Sequence, residues 1–240
     1  KADNFVDSIP QNSNGFYEFK ENYQKALDGK ESNDVVINSF VELSFRKSFD
    51  PAWTDAFLDS MESDINKNRY ESIDSVIDYM YGSAEVIGLY MAKILNLPDQ
   101  ALYHARYLGR AMQYVNFIRD IAEDLTLNRI YMPEDELTKY GITHLDYDHV
   151  KTIPEQFNDF IRKQIKYYLK WQQIAEKGFI YIPKRYLIPI KTASEMYLWT
   201  AIQILKNPFI VFQKQIKPQI YTILSSISKN LIDPKSTTIL

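Results

Sequence analysis

The stretch "NFIRDIAEDLTLNRIYMP", residues 116–133, places Asp120 and Asp124 four residues apart. On a helix with 3.6 residues per turn, side chains at this spacing share one face. The same face carries the amides Gln113 and Asn116, and the opposite face is apolar: Ala111, Val115, Ile118, Ala122 and Leu125. No lysine is interleaved with the acids at the spacing that often pairs charges on exposed helices. The stretch predicts an amphipathic helix whose polar face is either solvated or a ligand site.

Paired carboxylates on successive helical turns suit a divalent cation. Magnesium prefers oxygen ligands, keeps several waters, and is typically held by one or two carboxylates together with substrate phosphates. A second pair, Asp3 and Asp7, stands in "ADNFVD" at residues 2–7. Each pair alone is common in helices. Two such pairs in one helical protein favour a site where metal ions hold a diphosphate.

The composition excludes several classes of protein. With 240 residues, 45 % hydrophobic and 25 % charged, the chain has the make-up of a folded globular domain. The net charge of −3 offers no electrostatic footprint for nucleic acid. Cysteine is absent, which excludes disulfides and thiolate metal sites and is typical of a cytoplasmic protein.

Helical periodicity covers most of the chain, and glycine, with seven residues, is scarce for a protein rich in turns. We predict one all-α domain over residues 1–240, with no strand. The predicted helices span 15–27, 33–48, 54–68, 72–95, 100–126, 154–182, 185–207 and 208–232, the last broken at Pro218. Residues 131–143 are predicted to be a loop with one helical turn. The chain begins at Lys1 without methionine, and we expect a missing N-terminal segment.

Three stretches resemble the squalene/phytoene synthases, the head-to-head class of prenyltransferases. "ADNFVD" resembles the family's first aspartate-rich motif, and "YMYGSAEVIGLYM" (79–91) its tyrosine-glycine-alanine helix. "QYVNFIRDIAEDLTLNRIYMPEDELTKYGI" (113–142) is similar to its most diagnostic segment. The resemblance runs along essentially the whole chain. It implies an isoprenoid synthase-type helical bundle around a central cavity, with the family's N-terminal helices lying before Lys1.

The resemblance also implies roles for individual residues. The metal ligands would be Asp3, Asp7, Asn116, Asp120 and Asp124. The residues that bind or support the diphosphates would be Gln113, Asn116, Arg119, Glu123, Arg129 and Tyr131. Tyr79 would line the reaction cavity and act with the four aspartates as a catalytic group. Asp64 matches a family position but receives no role.

The sequence departs from the family's pattern at several positions. Asn4 replaces the second acid of the first motif, and Gln215 stands where arginine is frequent. Glu85 occupies a position that is usually glycine, so either an acid faces the cavity or this helix is rotated. The acids of "PEDEL" (133–137) are expected in a capped turn and not as ligands. The basic and apolar stretch 184–191 is expected to begin a helix, with contact to a membrane surface as the alternative.

By this resemblance the enzyme is expected to use Mg²⁺, with Mn²⁺ as an alternative, and to join two prenyl diphosphates. The segment "RIYMPEDELTKYGI" is more similar to the phytoene type of the family than to the squalene type, which favours geranylgeranyl diphosphate as substrate and phytoene as product. The alternative is squalene or dehydrosqualene from farnesyl diphosphate, and NADPH is required only for squalene. Peripheral membrane contact would serve the release of the apolar product. The sequence does not predict the oligomeric state.

Two other functional classes compete with this interpretation. A non-catalytic helical relative could keep the fold, but it would be expected to lose the four aspartates. A head-to-tail prenyltransferase or terpene cyclase also uses aspartate-rich helices. The spacing of "RDIAED" and "RIYMP" favours the head-to-head class over both.

Overall fold

Helices dominate the structure, a computed structural model that describes residues 1–30, 32–213 and 216–234. Gln215 therefore lies outside the described residues. The helices are α1 (Ala2–Asp7), α2 (Ser13–Leu27), α3 (Val35–Lys47), α4 (Pro51–Asn66), α5 (Ile73–Met80), α6 (Val86–Ile94), α7 (Gln100–Arg119), α8 (Ile121–Thr126), α9 (Glu134–Lys139), α10 (Tyr147–Val150), α11 (Pro154–Glu176), α12 (Lys184–Lys206) and α13 (Ile220–Ile232). The all-α prediction is confirmed.

Helix α7 is the centre of the bundle and packs against α6, α11, α12 and the turn that precedes α6. Its buried residues include Ala111, Val115 and Ile118, which the helical pattern placed on the apolar face. They join side chains of α5, α8, α11 and α12 in the largest hydrophobic cluster. A second cluster forms between α1, α2, α3 and α4. The polar face of α7 is thereby turned toward the space between the two clusters.

Two of the predicted helices are interrupted. The helix expected over 72–95 contains a π-helical turn at Tyr81–Glu85, where the N–H of Val86 bonds to the carbonyl of Tyr81. The helix expected over 100–126 breaks at Asp120, which ends α7 and precedes α8 with φ −99° and ψ 15°. Both interruptions occur beside the polar face of α7. Such turns re-aim the side chains that follow them, and π turns are frequent at functional sites.

The prediction of no strand was wrong. Residues 131–143, predicted as a loop with one helical turn, contain that turn as α9 and also most of a short strand. Strand β1 (Arg69–Tyr70) pairs in parallel with β2 (Ile130–Pro133), and α9 follows β2 directly. The pair is too short to show an alternating pattern, and Tyr70, Tyr131 and Met132 are its buried hydrophobic residues. It fixes the chain after α8 beside the chain after α4.

The two remaining segments behave as ordinary helical structure. Residues 184–191 form the first turns of α12, with Leu187 and Lys191 buried. The acids after Pro133 lie in the first turn of α9, as expected from the favourable field of a helix N-terminus. Glu136 differs from that expectation because it is buried and accepts hydrogen bonds from Gln164 and Tyr167, both at 2.6 Å. Among the described residues, no helix is long and apolar enough to cross a bilayer.

Candidate active site

A cavity of about 700 Å³ lies between α1, α4, the π turn, α7 and α8. It collects most of the polar residues that the sequence singled out. The acids and amides on its walls are Asp3, Asp7, Gln113, Asn116, Asp120, Glu123 and Asp124, with Arg129, Tyr131 and Tyr79 beside them. Asp64 and Ser83 also line it. The two aspartate pairs, one at the start of the chain and one near its middle, thus share one cavity.

Helix α1 presents the first pair. Ala2 and Val6 are buried against the second hydrophobic cluster, which leaves Asp3 and Asp7 on the other face of this short helix. Burial, and then the charge of Asp7, raises the pKa of the Asp3 carboxyl. The pair is therefore a concentrated negative charge that favours a bound cation.

The second pair flanks the break between α7 and α8. The N–H of Asp124 still bonds to the carbonyl of Asp120 at 2.8 Å, so the two acids stay one turn apart. Burial, and then the neighbouring charge of Asp120, raises the pKa of Asp124 to about 8. Asp124 is consequently protonated in the metal-free protein at neutral pH, and a cation would have to displace that proton.

Arg129 connects the two pairs. Its guanidinium donates to the carboxylate of Asp7 and to the carbonyl of Val6, both at 2.6 Å. Its backbone N–H bonds to the carbonyl of Asp124 at 2.9 Å. The positive φ of Asn128, 56°, turns the chain back toward the cavity just before it. Arg129 thus carries the main positive charge into an otherwise acidic cavity.

Arg119 is placed differently. It does not line the cavity, and its guanidinium instead forms a two-point contact with Asp120 at 2.7 and 2.6 Å. The contact orients the Asp120 carboxylate from behind. Arg119 can therefore act on a ligand through Asp120 in this conformation.

Asp64 is the residue whose role the sequence left open. It is buried at the cavity wall and accepts hydrogen bonds from Tyr79 at 2.7 Å and Tyr131 at 3.0 Å. Burial raises its pKa to about 6 despite those bonds. The two tyrosines stack with ring centroids 5.3 Å apart, and Phe117 stacks on Tyr131 at 4.1 Å. An acid thus anchors two tyrosines of an aromatic stack that lines the cavity.

Two polar atoms of the cavity wall lack partners within the described part of the chain. The Oδ1 atom of Asn116 and the Oγ atom of Ser83 are both buried without a hydrogen bond. Buried polar atoms are normally satisfied, and exceptions frequently mark a ligand or water site. Both side chains line the cavity between the aspartate pairs.

Glu85 does not face the cavity. It is fully buried and accepts hydrogen bonds from Arg106 at 2.8 Å and Arg110 at 2.5 Å. The π turn rotates it away, so the second of the two sequence alternatives applies. Arg106 and Arg110 both belong to α7. The acid at this position therefore locks the π turn onto α7.

A second cavity, of about 300 Å³, continues along α7 where the polar one ends. Ala84 and Met112 line it, and each is the sequence neighbour of a residue of the polar cavity, Ser83 and Gln113. Its walls are almost wholly apolar and come from α6, α7, α12 and the turn after α11. Adjoining residues of α7 and of the π turn thus line an acidic cavity and an apolar cavity.

Metal binding requires oxygen donors that are close together and still available. Among the described residues, no three His, Asp or Glu side chains form a ready-made cage. The arrangement instead offers separated carboxylate pairs and the unpartnered Asn116 oxygen around one cavity. This donor set fits cations that complete their coordination with water and a ligand's phosphate oxygens.

The family model described as squalene/phytoene synthase matches residues 1–222. The chain belongs to the squalene/phytoene synthase family. Phytoene synthase 2 from Solanum lycopersicum, a chloroplastic protein, is 28 % identical over 192 residues, covering 75 % of this chain and 62 % of that relative. The phytoene synthase of Arthrospira platensis is 30 % identical over 166 residues, covering 63 % of this chain and 53 % of the relative. The chain therefore spans less than two thirds of the length of these curated relatives.

Solved structures of the family have the same fold. A dehydrosqualene synthase in complex with a ligand superimposes with a TM-score of 0.78 at 19 % identity, over 98 % of this chain and 83 % of that chain. A squalene synthase from Alicyclobacillus acidocaldarius gives a TM-score of 0.72 at 19 % identity, over 80 % of this chain and 73 % of that chain. The isoprenoid synthase-type bundle is confirmed.

Proposed function

We propose that the protein is a Mg²⁺-dependent prenyltransferase that joins two prenyl diphosphates head to head. The observation that carries the proposal is the junction of the acidic and apolar cavities along α7. A prenyl diphosphate has the matching shape, with a multiply charged head and a long hydrocarbon tail. Membership of the squalene/phytoene synthase family supports this reaction class.

The residues that would hold Mg²⁺, or Mn²⁺ as the alternative, are Asp3, Asp7, Asn116, Asp120 and Asp124. Their oxygens surround the polar cavity, and Asn116 Oδ1 has no partner among the described residues. Bound cations would neutralise the charge that develops on a departing diphosphate. Arg129 adds fixed positive charge to the same space and favours the same charge separation.

The remaining residues of the polar cavity have supporting roles in this proposal. Gln113 and Glu123 lie beside the aspartates and would orient the water around the diphosphate. Arg119 holds the Asp120 carboxylate in place. Ionisation of the first diphosphate gives an allylic cation. The double bond of the second substrate attacks this cation, and proton loss leaves a cyclopropylcarbinyl diphosphate.

Tyr79 and Asp64 form a proton acceptor for that loss. The Tyr79 hydroxyl donates to Asp64, and Asp64, with a pKa of about 6, is mostly ionised at neutral pH. A proton given to the tyrosine oxygen can be relayed to the carboxylate. Tyr79, Phe117 and Tyr131 line the same cavity, and their rings would stabilise the cation without providing a nucleophile.

The product that we propose is phytoene, from two molecules of geranylgeranyl diphosphate. After the second ionisation and rearrangement, phytoene needs only the loss of a proton, whereas squalene needs hydride from NADPH. The two relatives identified by sequence above are phytoene synthases, and the sequence of segment 129–142 favours the same product. The alternative is a C30 product from farnesyl diphosphate.

The test is a competition assay with purified protein, Mg²⁺ and both diphosphates, with and without NADPH. We expect a C40 hydrocarbon that is independent of NADPH and is lost in EDTA. Asp120→Asn should abolish the product, whereas the matched exposed variant Asp148→Asn should not. Exclusive use of farnesyl diphosphate would overturn the product, and no hydrocarbon under any condition would overturn the function.

We also propose peripheral contact with a membrane, into which an apolar product would pass. Helix α13 turns polar residues inward and exposes Tyr221 and Leu224, with Lys217 and Lys229 exposed nearby. This pattern suits an anionic lipid surface. The test is sedimentation with phosphatidylglycerol vesicles, in which Tyr221→Ser with Leu224→Ser should lose binding. Equal sedimentation of the wild type and of this double variant would contradict the proposed membrane contact.

A further inference from the structure

Ser83 lies in the middle of the π turn, Tyr81–Glu85, at the wall of the acidic cavity. A serine in a helix ordinarily bonds through its hydroxyl to a carbonyl one turn earlier. The Ser83 Oγ atom makes no such bond and has no other partner among the described residues, although it is buried. Its hydrogen-bonding capacity is therefore available to a ligand.

The turn that carries Ser83 is held on both sides. A Cβ atom at Gly82 would overlap the carbonyl oxygen of Ala56, so the backbone of the turn is pressed directly against α4. On the other side, Glu85 is tied to Arg110 of α7 at 2.5 Å. With its neighbours fixed in this way, the Ser83 side chain can change only its rotamer.

Ser83 marks the boundary between the two cavities. It and Gln113 line the acidic cavity, while the next residue along the chain, Ala84, and the preceding residue on α7, Met112, line the apolar one. In the proposed binding mode, the diphosphate of a prenyl diphosphate lies in the acidic cavity and its hydrocarbon tail lies in the apolar cavity. One atom of the molecule then lies at the boundary. That atom is the bridging oxygen between the α-phosphorus and carbon C1.

We propose that the Ser83 hydroxyl donates a hydrogen bond to this bridging oxygen. The inference rests on the proposed function and adds a residue to it. When the C1–O bond breaks, both electrons of the bond stay on the oxygen, which becomes a stronger acceptor as the carbon becomes a cation. A donor already aimed at that oxygen stabilises the transition state more than the bound substrate.

The two tyrosine hydroxyls on this wall are already engaged, since those of Tyr79 and Tyr131 both donate to Asp64. A hydroxyl has a single hydrogen, so neither can serve the bridging oxygen without giving up Asp64. Arg129 is held at Asp7 and at the carbonyl of Val6. Ser83 can serve it by a change of rotamer that breaks no hydrogen bond among the described residues.

The experiment compares the wild type with Ser83→Ala, and uses Ser44→Ala as a matched control. Ser44 is also a helical serine, but its hydroxyl is satisfied by the carbonyl of Phe40 at 2.7 Å, away from both cavities. For Ser83→Ala we expect kcat to fall about tenfold to a hundredfold, and KM to rise only by the few-fold factor of a hydrogen bond to the bound substrate. Thermal unfolding should be nearly unchanged, since no hydrogen bond within the protein is lost.

A binding measurement separates the hydrogen bond from a general structural effect. Two saturated, non-ionising analogues of geranylgeranyl diphosphate are titrated with Mg²⁺, one with oxygen and one with sulfur at the bridging position. Sulfur is a weak acceptor. Ser83→Ala should weaken binding of the oxygen analogue about threefold or more and leave the sulfur analogue unaffected.

Equal losses for both analogues, or no loss for either, would overturn the role of Ser83 while leaving the proposed function in place. Failure of the wild type to bind either analogue would overturn the proposed function itself, and the inference with it. An effect of Ser44→Ala equal to that of Ser83→Ala would also refute the inference.

Discussion

Replacement of Asp124 by asparagine should stabilise the metal-free protein, although the same change should abolish turnover. Burial, together with the charge of Asp120, raises the pKa of Asp124 from the ordinary value of 3.8 to about 8. Between these two values the folded state keeps a proton that the unfolded state has released. The stability contributed by protonated Asp124 is complete below pH 3.8 and is lost as the pH rises through 8.

The size of the effect follows from this interval. Each pH unit in it lowers the free energy of unfolding by about 1.4 kcal/mol, and at pH 7 about three units have been crossed. Ionisation of Asp124 in the unfolded state therefore lowers the free energy of unfolding at pH 7 by on the order of 4 kcal/mol. Relaxation of the partly open cavity reduces this loss to about 2–4 kcal/mol. Asparagine carries no charge at any pH, so it should recover this amount. At pH 5 the same reasoning gives only about 1–2 kcal/mol.

The assay is equilibrium unfolding in urea, with EDTA present, at pH 5 and pH 7. Asp124→Asn should gain more stability at pH 7 than at pH 5, while Asp148→Asn, a change of an exposed acid, should gain little at either. Addition of Mg²⁺ and inorganic diphosphate should stabilise the wild type and not Asp124→Asn. A gain that is absent, or equal at the two pH values, would refute the electrostatic reasoning.

Three further changes test the frame of the site. Arg129→Lys keeps the charge but loses the fork that bonds two groups of α1, so limited proteolysis near the N-terminus should accelerate about tenfold; unchanged cleavage would contradict the link. Glu85→Gln leaves Arg110 buried beside a neutral partner and should cost about 3–5 kcal/mol in urea unfolding, whereas a cost below 1 kcal/mol would show that the pair is dispensable. In Gly109→Ala the new Cβ atom would overlap the carbonyl oxygen of Ala84, so the free energy of unfolding should fall by about 1–3 kcal/mol and Tm should fall with it. An unchanged Tm would contradict this close contact.

Most of the fold could be predicted because most of its helices are amphipathic and long. Helix α7 shows this best: its apolar positions are buried, and its polar positions line the cavity. The breaks were not predictable from periodicity. The π turn adds one residue to a turn without changing the hydrophobic pattern around it, and the break at Asp120 keeps the acids one turn apart. The β1–β2 pair is held by tertiary contacts of tyrosines, not by a strand pattern.

The candidate site was predictable to the extent that it consists of spaced acids. The aspartate pairs could be identified from their i, i+4 spacing, and the structure brings them to one cavity. Asp64 had no such signal, since its partners Tyr79 and Tyr131 are distant in sequence. Ser83 could not be found either. Only the three-dimensional structure shows that its hydroxyl lacks the usual helical acceptor.

The spacing of α6 and α7 has a consequence for how the protein can change over evolution. Gly88 meets the backbone of Ala105, and Gly109 meets that of Ala84, so main chain rests on main chain at both points. The distance between the two helices is thus independent of the side chains that project into the apolar cavity. Substitutions there can deepen or shorten that cavity without moving the acidic residues. If the proposed function holds, mutational drift can therefore change which prenyl chain length is accepted while the chemistry stays constant.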